Sequence, residues 1–247
     1  MKRVAGLFFL FALCCHGLVA AEEPIRVLIV TGGHGYEEEP FYTVFDEMQG
    51  IQYEKTEYPE AFDLLKPGLE KKYDVVLAYD MCMHDISPGQ AADFIALLKQ
   101  GGIGYFGLHH TLSGHRKWEE YTDILGGKYL FEKRTRDGKE HGPSSYFHDQ
   151  ELKIEVADKE HPITRGIEAF DIRDETYKDF YVSPKVHVLL TTDHPKNNRE
   201  IAWTHSYGKT PVFYFMLGHD RLAYQNPGFR EVIARGIRWL AKEKDRQ

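Results

Sequence analysis

The sequence predicts an α/β domain built on one doubly wound, mostly parallel sheet, with an antiparallel extension in its C-terminal half. Three observations carry this. Nearly continuous apolar runs at 25–31, 73–79 and 103–108 suit strands covered on both faces. Helical patterns lie between them, and parallel neighbours need such crossovers, which are right-handed. Beyond about residue 150, strand-like runs follow one another with few helices between, as antiparallel neighbours do.

Each element has its own warrant. The strand at 25–31 runs into Gly32-Gly33-His34-Gly35-Tyr36, and Val44, Phe45 and Met48 then mark a helix. A second strand is expected at 51–58 and a third at 73–79. Ser87 offers an N-cap and Pro88 fits the first helical position, so a helix starts there and ends at Gly101-Gly102. The strand at 103–108 finishes in His109-His110, and Trp118, Tyr121, Ile124 and Leu125 suggest another helix. Strands are expected at 152–156, 186–191, 201–205 and 212–217, and a last helix at about 227–241. No linker-like stretch or internal repeat divides the chain.

Lys2 and Arg3 precede an apolar stretch at 4–19 that ends in Val19-Ala20-Ala21. This reads as an export signal at 1–21, leaving one domain at 22–247 in a secreted or periplasmic protein. The stretch is short and contains His16, so no stable membrane insertion is expected. Leu13 is bulky where lipid attachment at Cys14 would want a small residue. Lys plus Arg number 31 against 38 Asp plus Glu, a formal charge of −7, and loss of Lys2 and Arg3 leaves 29 against 38, or −9. That charge makes nucleic acid a poor candidate partner, and none is expected. Two of the three cysteines lie in the signal, so Cys82 can form no intramolecular disulfide and stability must come from the core.

Ligands of open α/β sheets bind beyond the carboxyl ends of the strands, near the point where strand order reverses. The loops this rule selects hold His34, His84, His109, His110 and His219. Imidazoles serve there either as metal ligands or as acid–base groups. No HExxH or paired CxxC motif is present. Gly107-Leu108-His109-His110-Thr111 is placed like a nucleophile elbow, but a histidine occupies the nucleophile position. Cys82 beside His84 offers a thiol, though a lone cysteine usually packs as a small hydrophobe. Arg173-Asp174-Glu175-Thr176-Tyr177 sets acids beside a tyrosine in less regular chain, where an inserted loop could reach over the sheet edge. Gly218-His219-Asp220 closes an apolar strand at a glycine that permits close backbone approach. His161, in His161-Pro162-Ile163-Thr164, is better placed to shape a turn. Tyr36, Tyr177, Trp118 and Tyr224 could offer aromatic faces to a sugar, with Trp118 at core spacing to Tyr121.

Gly107-Leu108-His109-His110, Trp118, Tyr121, Gly126-Gly127, His161-Pro162-Ile163-Thr164 with Gly166, Asp174-Glu175-x-Tyr177, Ala202-Trp203, Tyr207-Gly208-Lys209 and Gly218-His219-Asp220 together resemble the ThuA-like (trehalose-utilisation) family. The likeness spans residues 25–242. It implies a class I glutamine amidotransferase-like fold without the amidotransferase cysteine. Lys209-Thr210-Pro211 departs from the family form at one hairpin. The resemblance implies an exported protein of carbohydrate metabolism acting on a disaccharide or 3-keto-glycoside. Its motifs point to His109, His110, Glu175 and His219, with His34 and His148 as neighbours. In an enzymatic reading the catalytic groups are His110, Glu175 and Asp220, with one of His110 or Glu175 as the base and Asp220 orienting a ring, while His109, His148 and His219 are ligands of a divalent metal such as zinc or stabilisers of an enolate. His34, Tyr36 and Tyr177 would contact the carbohydrate, and no nucleotide is expected. The alternative is a non-catalytic sugar-binding module using the same pocket.

Overall fold

The computed structural model describes residues 23–244, so the segment 1–21 read as an export signal lies outside the described residues. In chain order the elements are β1 (Ile25–Thr31), α1 (Glu38–Asp46), β2 (Ile51–Glu57), α2 (Ala61–Leu64), β3 (Val75–Ala78), α3 (Pro88–Gln100), β4 (Gly104–Leu108) and α4 (Glu120–Leu125). Then come β5 (Gly127–Lys128), β6 (Arg134–Arg136), β7 (Lys139–His141), β8 (Ser145–Val156), β9 (Phe170–Lys178), β10 (Tyr181–Val182) and β11 (His187–Thr191). The chain closes with β12 (Glu200–Tyr207), β13 (Thr210–Phe215), α5 (Arg221–Gln225) and α6 (Pro227–Glu243).

Nine strands form the main sheet in the order β2-β1-β3-β4-β13-β12-β11-β8-β9. The first five run parallel and the last four join antiparallel. This is the expected doubly wound α/β sheet, with a larger antiparallel share than an edge extension. Strand order reverses between β1 and β3, so the switch point lies above their ends.

Alternation along the central strands explains the covering layers. Phe106 and Phe213, paired in register, face Gly236 of α6, where an added Cβ would sit 2.5 Å from Phe213. Helix α6 can therefore lie close on that face. Tyr105 points the other way, against Phe94 of α3 and Tyr121 of α4. Helix α3 begins where the sequence says: Ser87 and Gln90 form a reciprocal capping box and Pro88 is the first helical residue. Helix α6 starts at Asn226, whose side chain accepts from the Gly228 and Phe229 N–H groups, with Pro227 as the first helical residue.

The second half departs from expectation in one place that matters. Residues 170–178, read as less regular chain, form β9, which pairs with an early-starting β8. Its burial alternates only at first. From Asp174 to Tyr177 every residue is buried, because other elements cover both faces, so no period of two marks the sequence. The tight turn at Gly208-Lys209 closes β12 onto β13 with Tyr207 opposite Thr210, so the hairpin forms despite the altered residues. No helix among the described residues is long and apolar enough to cross a membrane.

Candidate active site

The β1 and β3 loops touch at the switch point. Gly33 has φ +80°, and a Cβ there would lie 2.1 Å from the Met81 carbonyl oxygen. Only glycine fits this contact. It sets His34 against His110, with ring centroids 4.7 Å apart.

His109 leaves the end of β4 in the left-handed region, φ +50°, and opens a 3-10 turn, His109–Ser113. A non-glycine residue there is strained and must be held by its surroundings. Two contacts hold it: the Tyr214 hydroxyl donates to its carbonyl at 2.8 Å, and its Nδ1 meets the Met216 carbonyl at 2.7 Å. A carbonyl only accepts, so Nδ1 carries the hydrogen and Nε2 faces inward. There Nε2 lies 3.3 Å from Glu175 Oε2, 3.4 Å from His219 Nδ1 and 3.2 Å from the Tyr177 hydroxyl. His219 Nδ1 is 3.5 Å from the same Glu175 oxygen. The other oxygen, Oε1, meets His148 Nδ1 at 3.1 Å. A bulge in β8 after Phe147, with Asp149 at φ +58°, turns His148 toward it.

Asp174 fixes the frame of this cluster. Its buried carboxylate accepts from the backbone N–H groups of Gly218 at 2.7 Å, His219 at 3.0 Å and Glu175 at 2.8 Å. One side chain from β9 thereby ties the end of β13 to the strand that carries Glu175. Electrostatics follow the geometry. Burial works against charge on Glu175, but the His109 ring overrides it and holds the carboxyl down at about 2. Burial likewise opposes a charged His109, and Glu175 more than offsets it, leaving that ring above the usual range. His110 goes the other way: burial, with His109, His34 and His219 nearby, holds it well below. Its Nδ1 is buried with no partner among the described residues.

Beside the cluster is a cavity of about 200 Å³ lined by His34, His110, Ser113, Glu175, Tyr177 and His148, with Met81, Tyr129, Phe131 and Tyr146. His109 and His219 stand next to this lining through Glu175. Three residues named from the sequence are placed elsewhere. Asp220 spends its carboxylate on capping α5, accepting from Leu222 and Ala223, and Asp174 organises the His219 turn instead. Tyr36 bonds the Tyr42 hydroxyl and packs edge-on against Phe41 and Tyr79, outside the cavity lining. His148 reaches the outer oxygen of Glu175, one atom away from the three-donor cluster.

Other candidates separate cleanly. His84 lines a different cleft, with Trp118. Tyr224 packs into the interior, and Trp118 packs half-buried against the core. Ring nitrogen Nδ1 of His161 accepts from the Ile163 N–H, shaping its turn as expected. Cys82 is fully buried, and burial pushes its thiol up to about 12, which removes it as a nucleophile near neutral pH. The sequence reading missed Tyr129, Phe131 and Tyr146. Phe131 and Tyr146 are 45% and 56% exposed, and such exposed rings beside a polar pocket are a signal that only the structure reveals.

An α/β sheet with a histidine–glutamate cluster at its switch-point end defines the class of protein. Residues 26–240 match the ThuA family, described by trehalose utilisation, and the chain belongs to that family. A putative ThuA-like protein from Parabacteroides merdae superposes with a TM-score of 0.72 at 21% identity, covering 91% of this chain and 92% of its own. A cytoplasmic protein from Salmonella typhimurium gives 0.58 at 13%, covering 87% and 99%. A β-galactosidase from Rahnella gives 0.54 at 14%, covering 87% of this chain but 31% of its own. These likenesses establish the fold. No curated protein matches the chain in sequence.

Proposed function

We propose that the protein is an exported enzyme of carbohydrate metabolism that cleaves an oxidised glycoside, a keto sugar, in the cavity above His109, Glu175 and His219. The observation that carries this reading is the meeting of two unlike walls. One is polar, formed by the cluster and by the His110 ring that lines the cavity. The other is aromatic, formed by Tyr129, Phe131, Tyr146 and Tyr177, which suits the apolar face of a sugar ring. Family membership supports a carbohydrate as the ligand.

A keto group acidifies the carbon between itself and the anomeric centre. The His110 ring takes that proton, and the C–H electron pair becomes an enolate whose oxygen a protonated histidine of the cluster stabilises. The enolate then forms a double bond to the anomeric carbon and expels the glycosidic oxygen, which takes up a proton. An unsaturated keto sugar and a free alcohol result. His34, against the His110 ring, stands where it can relay protons.

The test incubates purified protein with a keto-disaccharide and with its unoxidised parent, following products by NMR. The expected result is cleavage of the keto sugar alone, slowed roughly 10²–10⁴-fold in His110→Ala. Saturable sugar binding with no turnover would overturn the enzyme reading in favour of a binding module, whose case rests on the exposed aromatic rim.

A further inference from the structure

We propose that His109 Nε2, Glu175 Oε2 and His219 Nδ1 form the site of one divalent transition ion of the zinc class, open on its fourth side to the cavity. This deepens the reading above and rests on it only for what the ion acts upon.

Geometry carries the assignment. The three donor atoms come from the ends of β4, β9 and β13 and stand 3.3, 3.4 and 3.5 Å apart. Ligands about 2.0–2.1 Å from a tetrahedral ion are separated by about 3.3–3.4 Å. Direct hydrogen bonding accounts for these distances less well. A charge-assisted bond between imidazole and carboxylate closes to about 2.7–2.9 Å. One proton on His109 Nε2 also cannot serve Glu175, His219 and Tyr177 at once. A cation between the donors satisfies all three together.

The surrounding contacts are those a metal site needs. The Met216 carbonyl fixes the His109 tautomer and leaves the Nε2 lone pair for the ion. His148 holds the Glu175 oxygen that faces away from the cluster. Asp174 locks the backbone of two of the three ligands. Two imidazoles and one carboxylate select zinc-class ions over magnesium or calcium, which prefer oxygen shells. Three protein ligands with an open fourth position are the mark of a catalytic centre, not a structural one.

The experiment strips the whole protein with chelator, titrates it with Zn²⁺ alone by calorimetry and counts bound metal by elemental analysis. One ion per chain is expected. Glu175→Gln and His219→Ala should weaken binding by roughly 100-fold or more, with circular dichroism unchanged, while His84→Ala, in a different cleft, binds as the parent does. Absence of stoichiometric zinc in the parent, or binding that survives both substitutions, overturns the site. Should either variant fail to fold, Co²⁺-loaded parent protein decides: the visible bands of tetrahedral cobalt are expected, and their absence overturns the assignment. Zinc bound without sugar turnover removes the enzyme reading and keeps the ion.

Discussion

Asp80 shows how a single buried side chain couples this fold to pH. Its carboxylate is fully buried, accepts from the Cys82 N–H at 2.9 Å and the Thr111 hydroxyl at 2.8 Å, and faces His115 at 3.8 Å with Lys128 the nearest cation acting on it. Burial raises its pKa from 3.8 to about 6. A carboxyl raised on folding favours the folded state in its protonated form, so its contribution is full below about 4 and is lost as pH climbs to about 6. The span corresponds to on the order of 3 kcal/mol. Asp80→Asn should therefore flatten the decline between pH 4 and pH 6 in urea unfolding, measured against the parent. Equal slopes for the two proteins would exclude Asp80 as the source. Asp80 was legible in the sequence only as a residue following a strand, since nothing local reports burial. Glu175 was legible as a site residue through its motif, whereas its partners on His109 and His219 required the topology.

At the scale of elements, the contact of the β1 and β3 loops sets the shape of the cavity mouth. Gly33→Ala would push a methyl group into the Met81 carbonyl from a left-handed backbone position. A loss of about 2–4 kcal/mol is expected, read as a lowered thermal midpoint with weaker sugar binding. An unchanged midpoint would mean that the loops part easily. Elements whose causes are local were readable in advance, such as α3 with its capping box and Pro88. Strand β9 was not, because its buried stretch is Asp174-Glu175-Thr176-Tyr177 and its partners are backbone N–H groups and histidine rings far away in sequence. Alternation of apolar residues, the usual strand signature, vanishes when polar groups are buried in pairs.

For the whole molecule, cohesion rests on the continuous core, and the described chain holds one free cysteine, Cys82, deep within it. Iodoacetamide should leave the native protein unlabelled over a time that fully modifies the urea-unfolded chain, as read by mass spectrometry. Rapid labelling of the native state would restore the thiol as a reagent. The parallel half of the sheet was readable from its apolar runs and crossovers. How far the antiparallel half reaches was not, because β8 and β9 are joined by long-range pairing that no short motif encodes.

The three donors sit on strands that the chain lays down far apart, with 110 positions between His109 and His219. Neither half of the sheet contains the centre on its own. A nascent chain emerging in sequence order holds His109 and Glu175 but lacks His219 until the last strand is made, so the proposed centre can be completed only at the end of folding. Its appearance then reports completion of the tertiary structure more sharply than helix or sheet content does.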